Sequence, residues 1–277
     1  MFMISRRTRA LQSAKYTQKK RKKSIIATAL LVLCVGICFG VVILAFRLPF
    51  FQITTVKLES PGSLPASELE QKALALTEGS YFGLIPRSST FFYPKDEIEA
   101  AVMSAYKKIE TLRVVKKSFT TLEITTSERK PEAVICEGFR EEDEIDECFF
   151  ADVNGYVFSD SPGFSDGVYP RYYANSESNK PVLGNNFMDA SRFKELQAFL
   201  KGMSANGITT LGILIGEGGS YELYMKNRDQ STAVVYFDDR TSFDKTMSNL
   251  VAFWDNTKDN FDYINLRFGN NVFYSKK

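Results

Sequence analysis

The longest apolar run in the chain occupies residues 25–46, where 22 consecutive positions carry no charged side chain. At about 1.5 Å per residue, a helix of this length spans roughly 33 Å, which is enough for the ~30 Å hydrocarbon core of a membrane. The run is longer than the apolar region of a cleaved signal peptide, and no small-residue cleavage site follows it. The pattern therefore predicts one transmembrane helix that acts as an uncleaved signal anchor.

Residues 49–130 alternate between strand-like and helix-like periodicity. Strands are predicted at residues 51–58, 109–118 and 120–127, and helices from residue 67 to about 77 and from 94 to about 107. Ser67 and Glu70 have the spacing of a capping box, which favours a helix start at Ser67. The predicted element order of this first domain is β-α-α-β-β.

Residues 131–277 are richer in strand patterns and form the second predicted domain. Asn154-Gly155 is a hairpin signal, and Asp189 is a candidate N-cap for a helix that ends near residue 203. A second helix is predicted at residues 242–254, whereas residues 159–185 are interpreted as a turn-rich connection. The fold class is α+β: a transmembrane helix, a β-α-α-β-β domain and a mixed β-rich domain with two or more helices. Strands of the second domain are predicted near residues 133–136, 148–153, 156–158, 208–215, 221–226, 233–237, 263–268 and 272–274.

The net charge of +2 hides an asymmetry along the chain. Nine basic and no acidic residues lie within residues 1–23; removing these nine from the 35 basic residues leaves 26 against 33 acidic ones. A basic tail can indicate nucleic acid or anionic lipid, and the adjoining apolar run favours lipid. The positive-inside rule then predicts that residues 1–24 are cytoplasmic and that the chain after residue 46 is exported. The membrane-proximal basic residues are Lys19, Lys20, Arg21, Lys22 and Lys23.

Chemistry that would indicate an enzyme is missing from the sequence. There is no histidine, which removes Ser–His and Cys–His nucleophile pairs and histidine metal sites. No phosphate-binding loop occurs, and the acidic residues show no spacing that singles out an acid–base pair. We therefore expect no catalytic residue, no metal, no cofactor, no small-molecule substrate and no nucleic-acid partner.

Two exported cysteines flank an acidic segment, residues 141–147. If neighbouring strands place Cys136 opposite Cys148, a disulfide bond would close a loop of 13 residues and stabilise the fold by about 3 kcal/mol. The alternative is a pair of reduced, buried thiols. Both alternatives remain open at the level of the sequence.

Four short motifs, in this order, resemble the FtsQ/DivIB cell-division family. They are PFFQITTV at residues 49–56, TLEITTSERKPEA at 121–133, FADVNGYVF at 150–158, and YINLRF at 263–268 with NVFY at 271–274. The resemblance implies that residues 49–130 form a POTRA domain and residues 131–277 the family's β domain. The sequence departs from the family pattern at Asn265, where aspartate is usual, and in a longer loop at 79–94 and a longer acidic hairpin.

The resemblance implies a non-catalytic scaffold at the division septum. It further implies partners of the FtsB/DivIC and FtsL type, which are single-pass coiled-coil proteins, bound by the C-terminal strands. A generic membrane-anchored POTRA-type module for envelope assembly or secretion is the alternative function. For the aromatic residues, the alternative to a binding role is an ordinary place in the core. The partner-binding residues that the resemblance and residue types suggest are Arg267, Phe268, Val272, Phe273 and Tyr274.

Overall fold

The computed structural model describes residues 14–59, 62–138, 147–162, 168–174, 180–269 and 271–277. The basic residues before position 14 and most of the acidic segment at 141–147 lie outside this range. The described parts of Met1–Ile98 and Val114–Ile124 form the first unit, and those of Glu99–Arg113 and Thr125–Lys277 form the second unit. The chain is α+β, whereas the domain boundary expected at residue 130 stays a prediction.

Helix α1, Ala14–Phe46, contains the apolar run. Among the described residues it is the one helix that is long and apolar enough to cross a membrane, and most of its apolar side chains are exposed. The basic residues 19–23 are exposed in its first half. Two free cysteines, Cys34 and Cys38, are also exposed on α1.

The segments after α1 form a three-stranded sheet in the order β1-β5-β4, together with a small hairpin, β2–β3. The capping box predicted for α2 is wrong, because α2 begins at Ala66 after Pro65 and has no side-chain cap. Glu70 instead accepts the backbone N–H of Leu58 in β1 at 2.8 Å. The elements are β1 (Thr55–Glu59), α2 (Ala66–Ala75), β2 (Ser80–Tyr81), β3 (Ile85–Pro86), α3 (Lys95–Ala105), β4 (Ile109–Lys116) and β5 (Thr121–Glu128).

The second unit contains a nine-stranded mixed sheet in the order β14-β13-β12-β11-β10-β9-β6-β7-β8. The sequence missed β9, which lies inside the segment interpreted as a connection. This strand pairs in parallel with both β6 and β10, so it joins the two halves of the sheet. The strands are β6 (Ala133–Glu137), β7 (Cys148–Ala151), β8 (Val157–Asp160), β9 (Arg171–Ala174), β10 (Thr210–Ile215), β11 (Ser220–Lys226), β12 (Thr232–Asp238), β13 (Phe261–Phe268) and β14 (Asn271–Lys276).

Two helices, α4 (Ala190–Ala205) and α5 (Phe243–Asn256), supply the main core of the second unit. The predicted N-cap at Asp189 is confirmed, because its carboxylate accepts the backbone N–H groups of Ser191 and Arg192. Buried side chains of α4 and α5 pack with one face of the sheet in a single cluster. The opposite face carries a smaller cluster that includes Val134, Tyr173 and Leu214. Alternating side chains along the strands therefore separate the face that packs on the helices from the face that carries the smaller cluster.

Candidate functional site

The two edges of the nine-stranded sheet differ in how the chain covers them. At one edge, β8 pairs with a returning segment: Val157 N–H donates to the Asn185 carbonyl at 2.9 Å, and Gly184 N–H donates to the Val157 carbonyl at 2.8 Å. At the other edge, β14 pairs with β13, and no described strand lies on its outer side. Because an uncovered strand presents unpaired backbone groups, β14 is the edge at which a further strand could add.

The register of β13 and β14 contains two irregularities, where β13 has one residue more than β14. They lie between Phe261 and Tyr263 and between Asn265 and Phe268. At the second of these, the Asn265 side-chain oxygen accepts the Arg267 backbone N–H at 3.1 Å. Asparagine therefore supplies the acceptor that the irregular strand needs, and an aspartate oxygen would serve equally.

Two of the five suggested binding residues lie on the helix-covered side of β14. Val272 is partly buried against the main core. The Tyr274 ring contacts the rings of Phe253 in α5 and Phe261 in β13, with centroids 5.1 and 5.5 Å apart. Tyr274 is nevertheless 45% exposed, so one side of the ring contributes to the fold and the other faces solvent.

The remaining three suggested residues form a separate group. Phe268 and Phe273 pack edge to face at 5.1 Å and remain 56% and 53% exposed. The Arg267 guanidinium lies over the Tyr236 ring, 5.1 Å from its centroid. The buried Arg267 Nε–H finds no acceptor among the described residues. The structure thus brings the Arg267 guanidinium and two exposed aromatic rings to the end of β13 and the start of β14.

Charged side chains flank this edge. Lys276 forms an ion pair with Asp259 at 2.6 Å, and the hydrogen bond to that carboxylate raises the pKa of Lys276. Near the other end, the Arg240 guanidinium donates to Asp238 and lowers the pKa of that carboxyl group, and it also approaches the Arg267 carbonyl oxygen at 3.4 Å. These pairs hold the ends of the edge, whereas its centre is apolar and aromatic.

Cys136 and Cys148 are joined by a disulfide bond. Cys136 in β6 and Cys148 in β7 are directly opposed in the antiparallel register. Cys136 belongs to the smaller cluster, on the face of the sheet opposite the helices, and Cys148 packs against it. The bond closes the base of the loop that carries the acidic residues 141–147, and that loop lies mostly outside the described residues.

An ion pair that the sequence analysis did not anticipate links two of its four motifs. The Arg129 guanidinium donates to Asp152 and lies over the Tyr156 ring, 4.0 Å from its centroid. The other carboxylate oxygen of Asp152 accepts the backbone N–H groups of Asn154 and Tyr156 at 2.8 and 3.1 Å. In the sequence, Arg129 of the ERKP segment and Asp152, two residues before Asn154, were the residues from which this ion pair could have been predicted. This arrangement builds the β7–β8 hairpin and is structural in character.

Within the described part of the chain, no group of three metal-ligating side chains could hold a metal ion. A comparison with models of known protein families gives no match. A comparison with curated proteins likewise gives no match. The interpretation of the site therefore depends on the residues and on their geometry.

Proposed function

We propose that this chain is a bitopic, non-catalytic scaffold of the FtsQ/DivIB type, which holds partner proteins outside the cytoplasmic membrane at the division septum. The observation that carries the proposal is the open β14 edge, at which Phe268, Phe273 and Tyr274 are each about half exposed. The family-like motif at residues 263–268 and 271–274 lies on β13 and β14. Fold alone does not imply function, whereas an open edge with exposed aromatic rings is a feature that a partner can bind.

Strand addition is the binding mode that this edge favours. A partner segment in an extended conformation would hydrogen-bond to the outer backbone of β14, and these bonds would supply much of the affinity. Aromatic and arginine side chains beside the added strand would supply specificity, since such residues dominate the energetics of interfaces. The resemblance suggests the class of partner, namely single-pass coiled-coil proteins of the FtsB/DivIC and FtsL type.

Helix α1 supports the membrane-anchored part of the proposal. Its length and apolar surface suit a membrane span, and the exposed basic residues 19–23 lie on its N-terminal side. The positive-inside rule places such residues in the cytoplasm, so the second unit would face the exported side. In this arrangement the chain offers a binding edge to other exported domains. The POTRA assignment for the segments after α1 is part of the same proposal.

Phe273→Glu is the most direct test of the edge. Phe273 contacts Phe268 and is otherwise half exposed, so a charge there should disturb a docked strand more than the fold. We expect co-purification with the coiled-coil partners to weaken by about 30-fold or more, which corresponds to the ~2 kcal/mol of an interface hot spot. Val182→Glu is the matched control, because Val182 is equally exposed, at 52%, and lies outside β13 and β14.

Equal partner binding by both variants would refute the assignment of the edge. A drop in binding by Val182→Glu as large as that of Phe273→Glu would show that any exposed charge disturbs the complex, which also contradicts a specific edge. The thermal midpoints of both variants, measured in the same detergent, separate lost binding from lost folding.

The cellular role has its own test, the position of a fluorescent protein fused to the cytoplasmic N-terminus. A band at the division site that depends on partner expression would support the septal scaffold. A uniform membrane signal throughout division would contradict the septal role and favour a generic module for envelope assembly.

A further inference from the structure

A group of exposed apolar side chains lies at the end of helix α1. Outside α1 and the adjoining Leu48, every exposed large apolar side chain described for the first unit belongs to this group, which we term the collar. On a folded domain, exposed apolar side chains gathered in one place indicate a binding surface, whereas scattered ones need no explanation. The collar residues are Phe50, Phe82, Leu84, Phe91, Phe92 and Phe119.

Direct contacts join the collar to the C-terminal end of α1. The ring of Phe46, the last residue of α1, packs on Phe91 and Phe92 with centroids 5.7 and 5.1 Å apart. The next residue, Arg47, donates from its guanidinium to the carbonyl oxygens of Gly83 and Leu84 at 2.9 and 3.3 Å. These bonds hold the tip of the β2–β3 hairpin beside the end of the helix.

Two further collar rings, Phe50 and Phe119, are joined to the same cluster through the half-buried Phe51. Phe50 and Phe51 pack edge to face, and both contact Phe119 at 5.3 and 5.5 Å. Phe51 also contacts Phe91 at 5.6 Å, which links this pair to the rings on Phe46. Four collar rings therefore form one connected cluster where α1 ends, and Arg47 holds the hairpin that carries Phe82 and Leu84 beside the same end of α1.

The length of α1 fixes the depth of the collar if the helix spans a membrane. The apolar run from residue 25 to Phe46 covers roughly 33 Å, against ~30 Å for the hydrocarbon core. Phe46 then lies at the outer boundary of the core, and rings that touch it lie at the level of the lipid headgroups. Aromatic side chains are enriched at this depth in membrane proteins.

Among the collar residues, Phe82 gives the strongest indication of a binding role. It stands at the tip of the β2–β3 hairpin with φ of +52° and is 98% exposed. Leu84 N–H donates to the Tyr81 carbonyl across this tip, and Gly83 also has positive φ, so the turn favours asparagine at the position of Phe82. A phenylalanine that adopts an unfavourable backbone conformation and packs on nothing does not serve the fold.

Basic groups accompany the collar. The Lys116 ammonium lies over the rings of Phe91 and Phe119, 5.4 and 5.0 Å from their centroids. Together with the Arg47 guanidinium, it places positive charge among rings that would lie at headgroup depth. Lysine and arginine at this depth extend toward lipid phosphates while their stems and neighbours contact apolar groups.

We propose that the collar inserts into the outer headgroup region of the lipid bilayer and holds the first unit against the membrane surface. The proposal rests on the membrane anchor of the proposed function and goes beyond it, since an anchor helix alone would leave the unit free to swing. The occupant of the collar is lipid, because the collar is continuous with the lipid-facing surface of α1 and carries basic groups beside its rings.

Depth-dependent fluorescence quenching tests the proposal on the full chain. Phe82→Trp is reconstituted in vesicles of phosphatidylethanolamine and phosphatidylglycerol that carry a bromine label either near the headgroup or deep in the acyl chain. The spectrum of the parent protein is subtracted, because its one tryptophan, Trp254, is buried in the second unit. Gln71→Trp, at an exposed position of α2 outside the collar, is the control.

The expected result is a blue-shifted emission from Trp at position 82 that the shallow label quenches and aqueous iodide does not, with the opposite behaviour at position 71.

Retention of the protein in the membrane pellet at alkaline pH, measured on the same vesicles, reports the anchor separately. Retention without lipid quenching at position 82 would overturn the collar proposal and leave the anchor intact. Equal quenching at both positions would also overturn it, and loss of retention would overturn the anchor and the collar together. If only native membranes, and not pure lipid, protect position 82 from iodide, the occupant is a protein and the lipid assignment is wrong.

Phe82→Asn separates the collar from folding. Asparagine suits the turn better than phenylalanine, so the thermal midpoint should stay equal or rise. At the same time, protection of the β2–β3 hairpin from hydrogen exchange in vesicles should fall to its level in detergent. A lower thermal midpoint would show that Phe82 serves the fold, and unchanged protection in vesicles would show that it does not touch lipid.

Discussion

Breaking the buried pair of Arg129 and Asp152 should strongly lower the free energy of unfolding of the second unit. The Asp152 side chain is 7% exposed and that of Arg129 is 16% exposed, so neither charge is well hydrated. Asp152→Asn keeps an oxygen for the backbone N–H groups of Asn154 and Tyr156, but it turns the acceptor for Arg129 into an amide. The guanidinium then stays buried without a counter-charge, which typically costs about 3–5 kcal/mol.

The comparison with Asp152→Ala separates the free energy of the ion pair from that of the two backbone hydrogen bonds. Alanine removes the ion pair and also the acceptor of two backbone hydrogen bonds, which contribute about 1 kcal/mol each. We therefore expect Asp152→Ala to destabilise the unit by about 2 kcal/mol more than Asp152→Asn. Since single domains are stable by only about 5–15 kcal/mol, both variants should show large shifts in their urea midpoints.

The assay is urea unfolding of the full chain in detergent, followed by the emission of Trp254. This residue is the only tryptophan and lies in the core of the second unit at 8% exposure, so its signal reports that unit. Arg129→Met and the double variant Arg129→Met/Asp152→Asn complete a cycle. The double variant removes both charges, so it should be more stable than the sum of the single effects predicts, by at least about 1 kcal/mol. Additive effects, to within about 0.5 kcal/mol, would refute the reasoning, because independent sites behave in that way.

Three further predictions concern the second unit and use the same tryptophan signal. Replacing Cys148 by Ser, or reducing its bond to Cys136, should lower stability by about 3 kcal/mol, and a reductant should have no further effect on the Ser variant. Gly155→Ala should destabilise by about 1–3 kcal/mol, because φ is +76° and the added methyl would lie 2.9 Å from a buried phenylalanine ring of α4; an unchanged midpoint would contradict this. Hydrogen bonds from a serine hydroxyl to Asp189 and from an arginine to Asp238 lower the pKa of both carboxyl groups. The two carboxylates therefore stabilise the fold above the unfolded pKa of 3.8, and this stabilisation is lost as pH falls through their folded pKa values. The urea midpoint should accordingly fall between about pH 6 and about pH 3, and by less in Asp189→Asn.

Long patterned segments could be predicted from the sequence because their periodicity is local. The apolar run, the helix capped by Asp189 and the hairpin at Asn154-Gly155 all appear in the structure near their expected positions. In each case the signal and the interaction that uses it lie within a few residues. The same locality explains why β13 and β14 were recognised as two strands joined by a short turn.

Strand β9 could not be predicted because its signal is not local. Its four residues follow Pro170 and show no polar alternation, since Tyr172 packs in the main core and Tyr173 in the smaller cluster on the opposite face. What makes the segment a strand is pairing with β6 and β10, which lie about 35 residues before and 40 residues after it in sequence. The capping box at Ser67 failed for a related reason: Glu70 has a partner in β1, and tertiary structure overrides a weak local preference.

The candidate edge illustrates a further limit of sequence reasoning. Residue type suggested five binding residues, but only the fold divides them. Val272 and one side of Tyr274 support the main core, whereas Phe268 and Phe273 contact each other and solvent. An alternating strand always presents two faces, and the sequence does not say which face the helices cover.

The division of β14 into two faces also determines what a binding edge costs the fold. The strand is attached through its ladder with β13, through Val272 and through the inner side of Tyr274. The Phe268 and Phe273 rings contact each other and take no part in the side-chain contacts of Val272 and Tyr274 with the core. The two exposed rings can therefore serve a partner without a change in the core. At the opposite edge, residues 184–185 of the same chain hydrogen-bond to the backbone of β8. Fewer backbone groups of β8 are therefore free to pair with an added strand. No described strand closes β14 in the same way, and two phenylalanine rings beside it face solvent. For this reason we propose that another chain adds a strand at this edge.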